Sequence, residues 1–425
     1  MEWSPEQDRA LHKASDWLRS WTPDAPVFRL FGEAGTGKST LARELASGVT
    51  GLVSYAAFTG KAAHVMHQKG CPGATTIHKL IYKPMDKSKD RLLHLQNSHK
   101  DEVQKIATEF GKPTTDPDVM HAIASSRILN ELKELIKAEQ EGLKQPAFTL
   151  NLDSELRRSK LLIVDECSMV DEKMAMDLLS FEVPVLVLGD PAQLPPVRGT
   201  GWFINAEPNV MLREIHRQAR DNPIIRMARA VRWGEKLEDG DYGESRVINL
   251  SEGTPDLYTT HSQVLVGREK RPERNPDPVW RANVNRRIRA LLGRPSELPV
   301  PGDKLVCLRN NHDVGLLNGG QWKVRDAVEL GTEMGLTLES DDDESLSLNL
   351  VAHKAPFVGQ EVEFWKAKDA EHFDYGYAMT VHKAQGSQWD SVLLFDQSGI
   401  FRQEASRWLY TGITRASKRI TIVRC

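Results

Sequence analysis

Short apolar runs alternate with segments of helical spacing along most of the chain. Apolar runs of this kind are typical of buried strands, and strands that alternate with amphipathic helices indicate parallel βαβ units. The predicted strands are residues 27–31, 52–58, 161–164 and 183–188 in the first half, and 263–267, 391–395 and 420–423 in the second. The pattern therefore predicts an α/β protein with two cores, over residues 1–200 and 201–425.

Two segments interrupt this alternation. Residues 83–158 are polar and rich in charges of both signs, which indicates a solvated helical insertion. Residues 299–372 contain short alternating segments separated by Gly-bearing turns, which is typical of a small all-β module. We predict one insertion in each core.

Charge and cysteine content exclude several classes of protein. Lys and Arg total 56 against 59 Asp and Glu, for a net charge of -3, so any polyanion must be bound by a local basic patch. Such patches occur at residues 215–232, at 268–294 and at the C-terminus. The four cysteines form no CxxC pair, which argues against a zinc ribbon and a disulfide framework.

The chain contains no apolar run of about 18 residues and no apolar segment near its N-terminus. We therefore expect a soluble protein without a secretion signal or a membrane role. Its expected location is the cytoplasm.

The clearest chemical signal is the segment Gly-Glu-Ala-Gly-Thr-Gly-Lys-Ser at residues 32–39. It fits the phosphate-binding pattern GxxxxGK[ST], and it lies between a predicted strand and a predicted helix. Glycines let the backbone wrap a phosphate chain, Lys38 would reach the β- and γ-phosphates of ATP, and the Ser39 hydroxyl would bind Mg²⁺. The predicted ATP-binding residues of this segment are Gly32, Gly35, Thr36, Gly37, Lys38, Ser39 and Thr40.

Polar residues follow two further predicted strands. Asp165 and Glu166 end the run LLIVDE, where one carboxylate can hold Mg²⁺ and its neighbour can activate water. We assign Asp165 to the metal and Glu166 to the general base. Gln193 follows the strand at 183–188 in a Pro-bounded loop, where an amide can sense the γ-phosphate. Together with the phosphate-binding segment, these residues predict nucleoside triphosphate hydrolysis.

Two arginines could contact the transferring phosphate from the second core. Arg217 lies at a predicted helix start, and Arg415 precedes the last predicted strand. Either could act as an arginine finger, although a single arginine is more often part of a surface salt bridge.

Almost the whole chain resembles a superfamily 1 helicase, and it is most similar to the RecD/Dda-like branch, which moves 5′ to 3′. Residues 4–11 resemble the adenine-reading Q motif. Residues 32–40, 56–66, 74–82 and 163–169 resemble motifs I, Ia, Ib and II. Four further segments are similar to motifs III, IV, V and VI. In that order they are LGDPAQLPPV, LREIHRQ, YAMTVHKAQGSQWDSV and LYTGITRASKRI. Gln388 and Trp389 stand where motif V commonly has Glu and Phe.

This resemblance implies a fold and residue roles. The two cores would be RecA-like P-loop NTPase domains, the segment 83–158 would carry a strand-separating pin, and 299–372 would be SH3-like. Gln7 would contact adenine, Gly386 would approach the γ-phosphate, and Arg217 and Arg415 would be the fingers. The residues implied to line a single-strand channel are Thr59, Lys61, Thr76 and His78 in the first core, Thr380 and His382 in the second, and Phe58, for which core packing is an equal alternative.

The resulting hypothesis is an ATP- and Mg²⁺-dependent helicase that moves 5′ to 3′ on single-stranded DNA and opens duplex at its junctions. Replication or recombination proteins are the expected further partners, and a monomer suffices because both fingers come from one chain. The resemblance also implies that the cytoplasm is that of a bacterial or phage-infected cell. Two alternatives remain: a superfamily 1 helicase that acts on RNA, and a P-loop ATPase switch that needs no nucleic acid.

Overall fold

The computed structural model describes residues 3–85, 90–144, 147–195, 201–214, 221–270, 278–311, 314–341, 346–360, 362 and 370–425. In chain order, the strands are β1 (Val27–Gly32), β2 (Val53–Ala57), β3 (Thr75–Thr76), β4 (Tyr82–Met85), β5 (Ala147–Leu150), β6 (Leu161–Asp165), β7 (Val185–Gly189), β8 (Val210–Leu212), β9 (Gly240–Tyr242), β10 (Ser245–Asn249), β11 (Gln263–Val266), β12 (Lys304–Cys307), β13 (Gln321–Leu330), β14 (Glu333–Ser340), β15 (Ser347–His353), β16 (Phe373–Tyr375), β17 (Ala378–Thr380), β18 (Trp389–Asp396) and β19 (Ala416–Arg424).

The helices are α1 (Pro5–Arg19), α2 (Lys38–Ser47), α3 (Gly60–Gln68), α4 (Ile77–Ile81), α5 (Asp90–Phe110), α6 (Pro117–Ser125), α7 (Arg127–Lys144), α8 (Glu172–Leu179), α9 (Pro223–Arg232), α10 (Leu257–Thr260), α11 (Arg281–Leu291) and α12 (Ala405–Ile413). Among the described residues, no helix is both long and apolar enough to cross a lipid bilayer.

The first core is built on a six-stranded sheet in the order β3-β2-β6-β7-β1-β8. Its strands pair in parallel, and β6 and β7 are almost entirely buried because helices cover both faces of such a sheet. The carboxyl ends of β1, β6 and β7 therefore share one edge. The last strand, β8, lies beyond residue 200, so the first sheet takes in more of the chain than the interval 1–200.

The second core also has a six-stranded sheet, in the order β17-β11-β18-β19-β10-β9. It is parallel except for the edge strand β9, which pairs antiparallel with β10. Two hydrophobic clusters of buried residues pack against this sheet. The prediction of an α/β fold with two RecA-like cores is therefore confirmed, because each core has a parallel or largely parallel sheet whose strands alternate with helices along the chain.

A five-stranded antiparallel sheet, in the order β15-β14-β13-β12-β16, is inserted between α11 and β17. We call it the β module. It has a hydrophobic core of its own around Trp322, Leu338 and Phe373. The predicted all-β segment 299–372 contains strands β12 to β15 of this module, and the fifth strand, β16, lies just beyond it. The SH3-like assignment of the segment stays a prediction.

Residues Ile81–Leu152 form a separate compact unit. It contains the two-stranded sheet β4-β5 and the helices α5, α6 and α7. Its helices leave several large apolar side chains exposed, including Leu93, Met120 and Ile128. The unit covers most of the segment 83–158 that the sequence predicts as a helical insertion, and the pin function of that segment stays a prediction.

Candidate nucleotide site between the two cores

The loop after β1 is folded tightly around the Lys38 side chain. Lys38 Nζ donates hydrogen bonds to the carbonyl oxygens of Gly32 at 2.7 Å and Glu33 at 2.9 Å. Gly35 and Gly37 have φ values of 80° and 83°, which only glycine adopts without strain. Thr36 Oγ1 donates to Glu33 O at 2.8 Å. These bonds hold the loop in the curved form that lets successive N–H groups face a phosphate chain.

The Ser39 hydroxyl and the Asp165 carboxylate meet at the edge of the first sheet. Ser39 lies in the first turn of α2, Asp165 ends β6, and Ser39 Oγ donates to Asp165 Oδ2 at 3.1 Å. Mg²⁺ prefers oxygen ligands and is usually held by one or two protein oxygens together with phosphates and water. The donor set therefore fits the Mg²⁺ that the sequence predicts.

Glu166 has an unusual backbone conformation. Its φ of 52° and ψ of 45° lie in the left-handed region, which costs a non-glycine residue about 1–2 kcal/mol. Burial raises the pKa of its carboxyl, the Arg415 guanidinium opposes that rise, and Asp165 adds to it. A strained, desolvated carboxylate beside the Ser39–Asp165 pair has the features of a general base.

Arg415 comes from the second core and is 5 % exposed. Its guanidinium donates to Thr411 O at 3.0 Å, to Ser387 O at 3.2 Å and to Thr414 Oγ1 at 3.1 Å. These bonds fix the guanidinium, and its charge acts on Glu166 across the boundary between the cores. The other predicted finger, Arg217, lies outside the described residues.

Two side chains of α1, those of Gln7 and Glu6, form hydrogen bonds with other segments of the chain. Gln7 Nε2 donates to Thr36 O at 3.0 Å, and Gln7 Oε1 accepts from Ser4 N at 3.1 Å. Gln7 thus connects the start of α1 to the phosphate-binding loop. The Glu6 carboxylate, which the sequence analysis did not single out, accepts hydrogen bonds from the N–H groups of Arg213 at 2.9 Å and Glu214 at 2.6 Å.

The loop after β7 is bonded to the second core. Gln193 is 7 % exposed, and its N–H donates to Asp190 O at 3.0 Å. The next residue, Leu194, donates from its N–H to Thr411 Oγ1 at 3.0 Å and accepts at its carbonyl from Gln385 Nε2 at 2.9 Å. The Leu194 side chain packs into a hydrophobic cluster of the second core. This loop therefore joins the two cores directly.

Gly386 packs against the start of α3 and has a φ of 76°. A Cβ at this position would lie 2.9 Å from both Ala62 Cβ and Thr59 Oγ1. The structure thus places Gly386 against the first core near Thr59, and its predicted approach to the γ-phosphate stays a prediction. Gly60 is packed as closely, because a Cβ there would lie 2.9 Å from Leu317 Cβ in the β module.

The three threonines predicted to face a nucleic-acid strand bond to nearby backbone. Thr59 Oγ1 accepts from Ala62 N at 3.1 Å and caps α3. Thr76 Oγ1 accepts from Lys79 N at 3.1 Å, and Thr380 Oγ1 accepts from Lys383 N at 3.4 Å. Each hydroxyl therefore stabilises the start of a turn or helix.

Lys61 is 8 % exposed, and its ammonium lies 5.7 Å from the centre of the Trp389 ring. The Trp389 indole donates from Nε1 to Gln321 Oε1 at 2.8 Å. Trp389 therefore contacts a residue of the first core and a residue of the β module. The cation–π geometry uses the face of the ring, and the hydrogen bond uses its edge.

Aromatic contacts surround the predicted channel histidines. The Phe58 and His78 rings are 6.4 Å apart in an edge-to-face arrangement, and His382 lies 5.4 Å from Phe401. Burial lowers the pKa of both histidines, and Asp171 partly offsets the effect at His78.

The remaining predicted nucleotide residue, Thr40, accepts from Arg43 Nη2 at 3.5 Å.

Sequence analysis missed a group of charged side chains beside the phosphate-binding loop. Arg229 and Arg232 of α9 contact Glu33, and Arg232 also contacts Asp190. Tyr410 donates to the Asp190 carboxylate and accepts from the N–H of Ala34 at 3.4 Å. The only local signal was the three-residue spacing of the two arginines, which puts both on one face of a helix.

Family comparisons agree with this geometry. Residues 17–250 match the family described as AAA domain, and residues 375–423 match the UvrD-like helicase C-terminal domain. The chain is similar to the ATP-dependent RecD2 DNA helicase of Deinococcus radiodurans, with 30% identity over 280 residues. That alignment covers 61% of this chain and 35% of the relative, so the chain spans about a third of the relative's length.

Solved structures of Pif1 helicases also align with the chain. One, of two Pif1 helicases at forked double-stranded DNA, covers 99% of this chain and 92% of its own with 16% identity and a TM-score of 0.48. Another, of Bacteroides Pif1 bound to single-stranded DNA, has the same coverage with 14% identity and a TM-score of 0.47. Similarity at this level adds nothing to the family matches.

The chain belongs to the AAA domain family. The match of residues 375–423 to the UvrD-like helicase C-terminal domain and the similarity to the RecD2 helicase agree with a superfamily 1 helicase of the RecD-like kind. The resemblance noted from the sequence motifs is thereby confirmed.

Proposed function

We propose that this protein hydrolyses ATP and uses the free energy to move 5′ to 3′ along single-stranded DNA and to open duplex. The observation that carries the proposal is the contact of the second core with the loops that hold the predicted nucleotide residues. Ala34 N donates to Tyr410 Oη at 3.4 Å, and Leu194 N donates to Thr411 Oγ1 at 3.0 Å. A site divided in this way changes with the contact between the cores, as ATP-driven motion requires.

Each side chain has a proposed chemical part. Lys38 holds the β- and γ-phosphates, and Glu166 accepts the proton of the attacking water. Ser39 and Asp165 hold Mg²⁺, which neutralises phosphate charge when bound. Arg415 stabilises the charge that develops on the transferring phosphoryl group, and Gln193 senses its presence. The Gln7 role in adenine binding and the Arg217 role as a second finger complete the proposal.

DNA contact is proposed for residues at the starts of α3 and α4 in the first core and for residues at the end of β17 in the second. Thr59, Lys61, Thr76 and His78 would meet the strand on one side, and Thr380 and His382 on the other, through backbone contacts that tolerate any sequence. Gly386, which follows His382 by four residues, packs against Thr59, so the two sets of residues lie in segments that touch. The similar D. radiodurans protein is described as an ATP-dependent DNA helicase.

Organisation beyond the site is also proposed. The unit Ile81–Leu152 would carry the pin that splits duplex, and the β module would guide the strand as an SH3-like domain. We further propose that the protein acts as a monomer, at junctions of single- and double-stranded DNA, alongside replication or recombination proteins.

The first experiment is steady-state ATP hydrolysis with no polymer, with single-stranded DNA and with single-stranded RNA of the same sequence. We expect single-stranded DNA to raise the rate of ATP hydrolysis in the wild-type protein. We expect no such rise in Lys38→Ala. Equal stimulation by RNA would replace the DNA assignment with RNA. A rate that ignores both polymers would leave an ATP switch.

Direction is tested by unwinding of duplexes that carry a single-stranded tail at either end. We expect opening of the duplex with a 5′ tail and little opening of the duplex with a 3′ tail. The reverse preference would contradict 5′ to 3′ movement while leaving the ATPase assignment in place.

A further inference from the structure

A carboxylate lies inside the phosphate-binding loop. Glu33 follows Gly32 directly and is 3 % exposed. A buried negative charge next to a site for a polyanion disfavours binding unless a cation neutralises it. Glu33 therefore needs a compensating positive charge nearby.

The compensating charge comes from the second core. Arg229 Nε lies 3.2 Å from Glu33 Oε2, and Arg232 Nη1 lies 3.5 Å from Glu33 Oε1. Arg232 Nη1 is also 3.5 Å from Asp190 Oδ1, and Asp190 is 1 % exposed. We call Glu33, Asp190, Arg229 and Arg232 the charge cluster. Its formal charges cancel, so it is neutral only when α9 is in place.

Tyr410 extends the cluster to the loop backbone. Its hydroxyl donates to the Asp190 carboxylate and accepts from the N–H of Ala34. Burial and the neighbouring Asp190 raise the pKa of Tyr410, so the phenol keeps the proton that it donates. Two consecutive residues of the phosphate-binding loop are thus contacted by side chains of the second core.

The ion pairs are held by charge rather than by directed hydrogen bonds. Within the described part of the chain, neither Glu33 Oε2 nor Arg232 Nη1 has a partner in hydrogen-bonding geometry. Charge attraction varies slowly with distance, whereas a hydrogen bond is lost with a small change of angle. The cluster can therefore persist while the loop adjusts to a nucleotide.

We propose that Arg232, assisted by Arg229, is a positioning residue that makes ATP binding depend on contact between the cores. With α9 in place, Glu33 and Asp190 are neutralised and the loop accepts a triphosphate. With α9 withdrawn, Glu33 repels it. Nucleotide binding and docking of the second core then favour one another by the same factor. This inference rests on the proposed ATP hydrolysis.

The test compares Arg232→Gln, Glu33→Gln and the double variant, with Arg226→Gln as the matched control. Arg226 is exposed and lies six residues, about 1.7 turns, before Arg232 on α9. We expect Arg232→Gln to raise the KM for ATP about fivefold or more, with a smaller change in kcat. The double variant should recover most of the loss, because removing Glu33 restores neutrality. Arg226→Gln should match the wild type.

An unchanged KM in Arg232→Gln, or a loss that Glu33→Gln does not relieve, would overturn the inference. A merely structural arginine would show no such rescue. If Arg232→Gln does not fold, as judged by thermal melting, Arg229→Gln replaces it in the same cycle.

Binding of a fluorescent ADP analogue separates this inference from the proposed function. Active ATPase with equal affinities in all variants would remove the inference and keep the function. If the affinity falls in Arg232→Gln and recovers in the double variant, but DNA does not stimulate hydrolysis, the inference is kept and the proposed function is removed.

Discussion

The nucleotide-binding candidates and the threonines predicted to bind a nucleic-acid strand are held by the fold in different ways. Ser39 meets Asp165, and Gln7 meets the loop at Thr36, so the nucleotide side is assembled from distant segments. Among the residues predicted to contact single-stranded DNA, the hydroxyls of Thr59, Thr76 and Thr380 each accept from an N–H three residues further along.

This difference affects how the motifs are interpreted. A threonine hydroxyl that accepts a hydrogen bond from the N–H three residues later is common at the start of a helix or turn in any protein. Its presence is therefore weaker support for DNA contact than a constellation that tertiary structure has brought together. Substitutions on both sides test this contrast.

The largest effect is expected from Glu166→Gln. Removing the proposed base should lower kcat for ATP about 10²- to 10⁴-fold, because general base catalysis supplies an acceleration of that order. Binding of ADP and of single-stranded DNA should be kept, since neither needs the proton acceptor. Glu172→Gln, at an exposed position at the start of α8, is the matched control. A loss of DNA affinity in Glu166→Gln would mean that the two sides are not separable.

The next effect is expected from Gly386→Ala. Gly386 is a predicted nucleotide residue, and it packs against Thr59, a predicted strand-binding residue. The new Cβ would be 2.9 Å from Ala62 Cβ, and the positive φ adds strain. We expect the free energy of unfolding to fall by about 1–3 kcal/mol, and the stimulation of ATPase by DNA to weaken. Urea denaturation and ATPase assays measure both. Gly399→Ala, in open space, should leave both unchanged.

Thr76→Val tests whether a capping hydroxyl also serves the strand. Loss of the acceptor for Lys79 N should cost about 1 kcal/mol of stability. We also expect a severalfold weaker affinity for single-stranded DNA, measured by fluorescence anisotropy, if the hydroxyl serves both. Thr76→Ser should restore both properties. Full DNA affinity in Thr76→Val would reduce this threonine to a cap.

The smallest effect concerns pH. Burial lowers the pKa of His382 below its ordinary 6.5, so the unfolded chain binds a proton more readily than the folded one. Stability should therefore fall as pH drops through 6.5. His382→Gln should reduce that fall when urea denaturation at pH 7.5 and 5.5 is compared. His12→Gln, an exposed histidine of α1, should behave like the wild type, and an equal fall in His382→Gln would contradict the assignment.

Sequence reasoning predicted the parts of the molecule that local chemistry dictates. The loop at residues 32–39 and the carboxylates after β6 are readable because a strand, a turn and a helix occur there in order. The strand pattern also predicted both parallel sheets.

Features that arise only from tertiary contact were not predictable in this way. Nothing near Arg232 in the chain indicates that it faces Glu33, and nothing near Trp389 indicates a contact with Lys61 and Gln321. The strand β8 was missed because a three-residue strand carries too little pattern to be distinguished from a loop.

The position of Leu194 has a consequence for the stability of the protein. Its backbone follows the first sheet, yet its side chain is 2 % exposed and completes the hydrophobic interior of the second core. Loss of a buried leucine side chain costs about 2–5 kcal/mol. Separating the cores would impose a cost of this kind on the second core, since it would lose a side chain that it cannot replace from its own sequence. Heat should therefore melt the two cores in one cooperative transition.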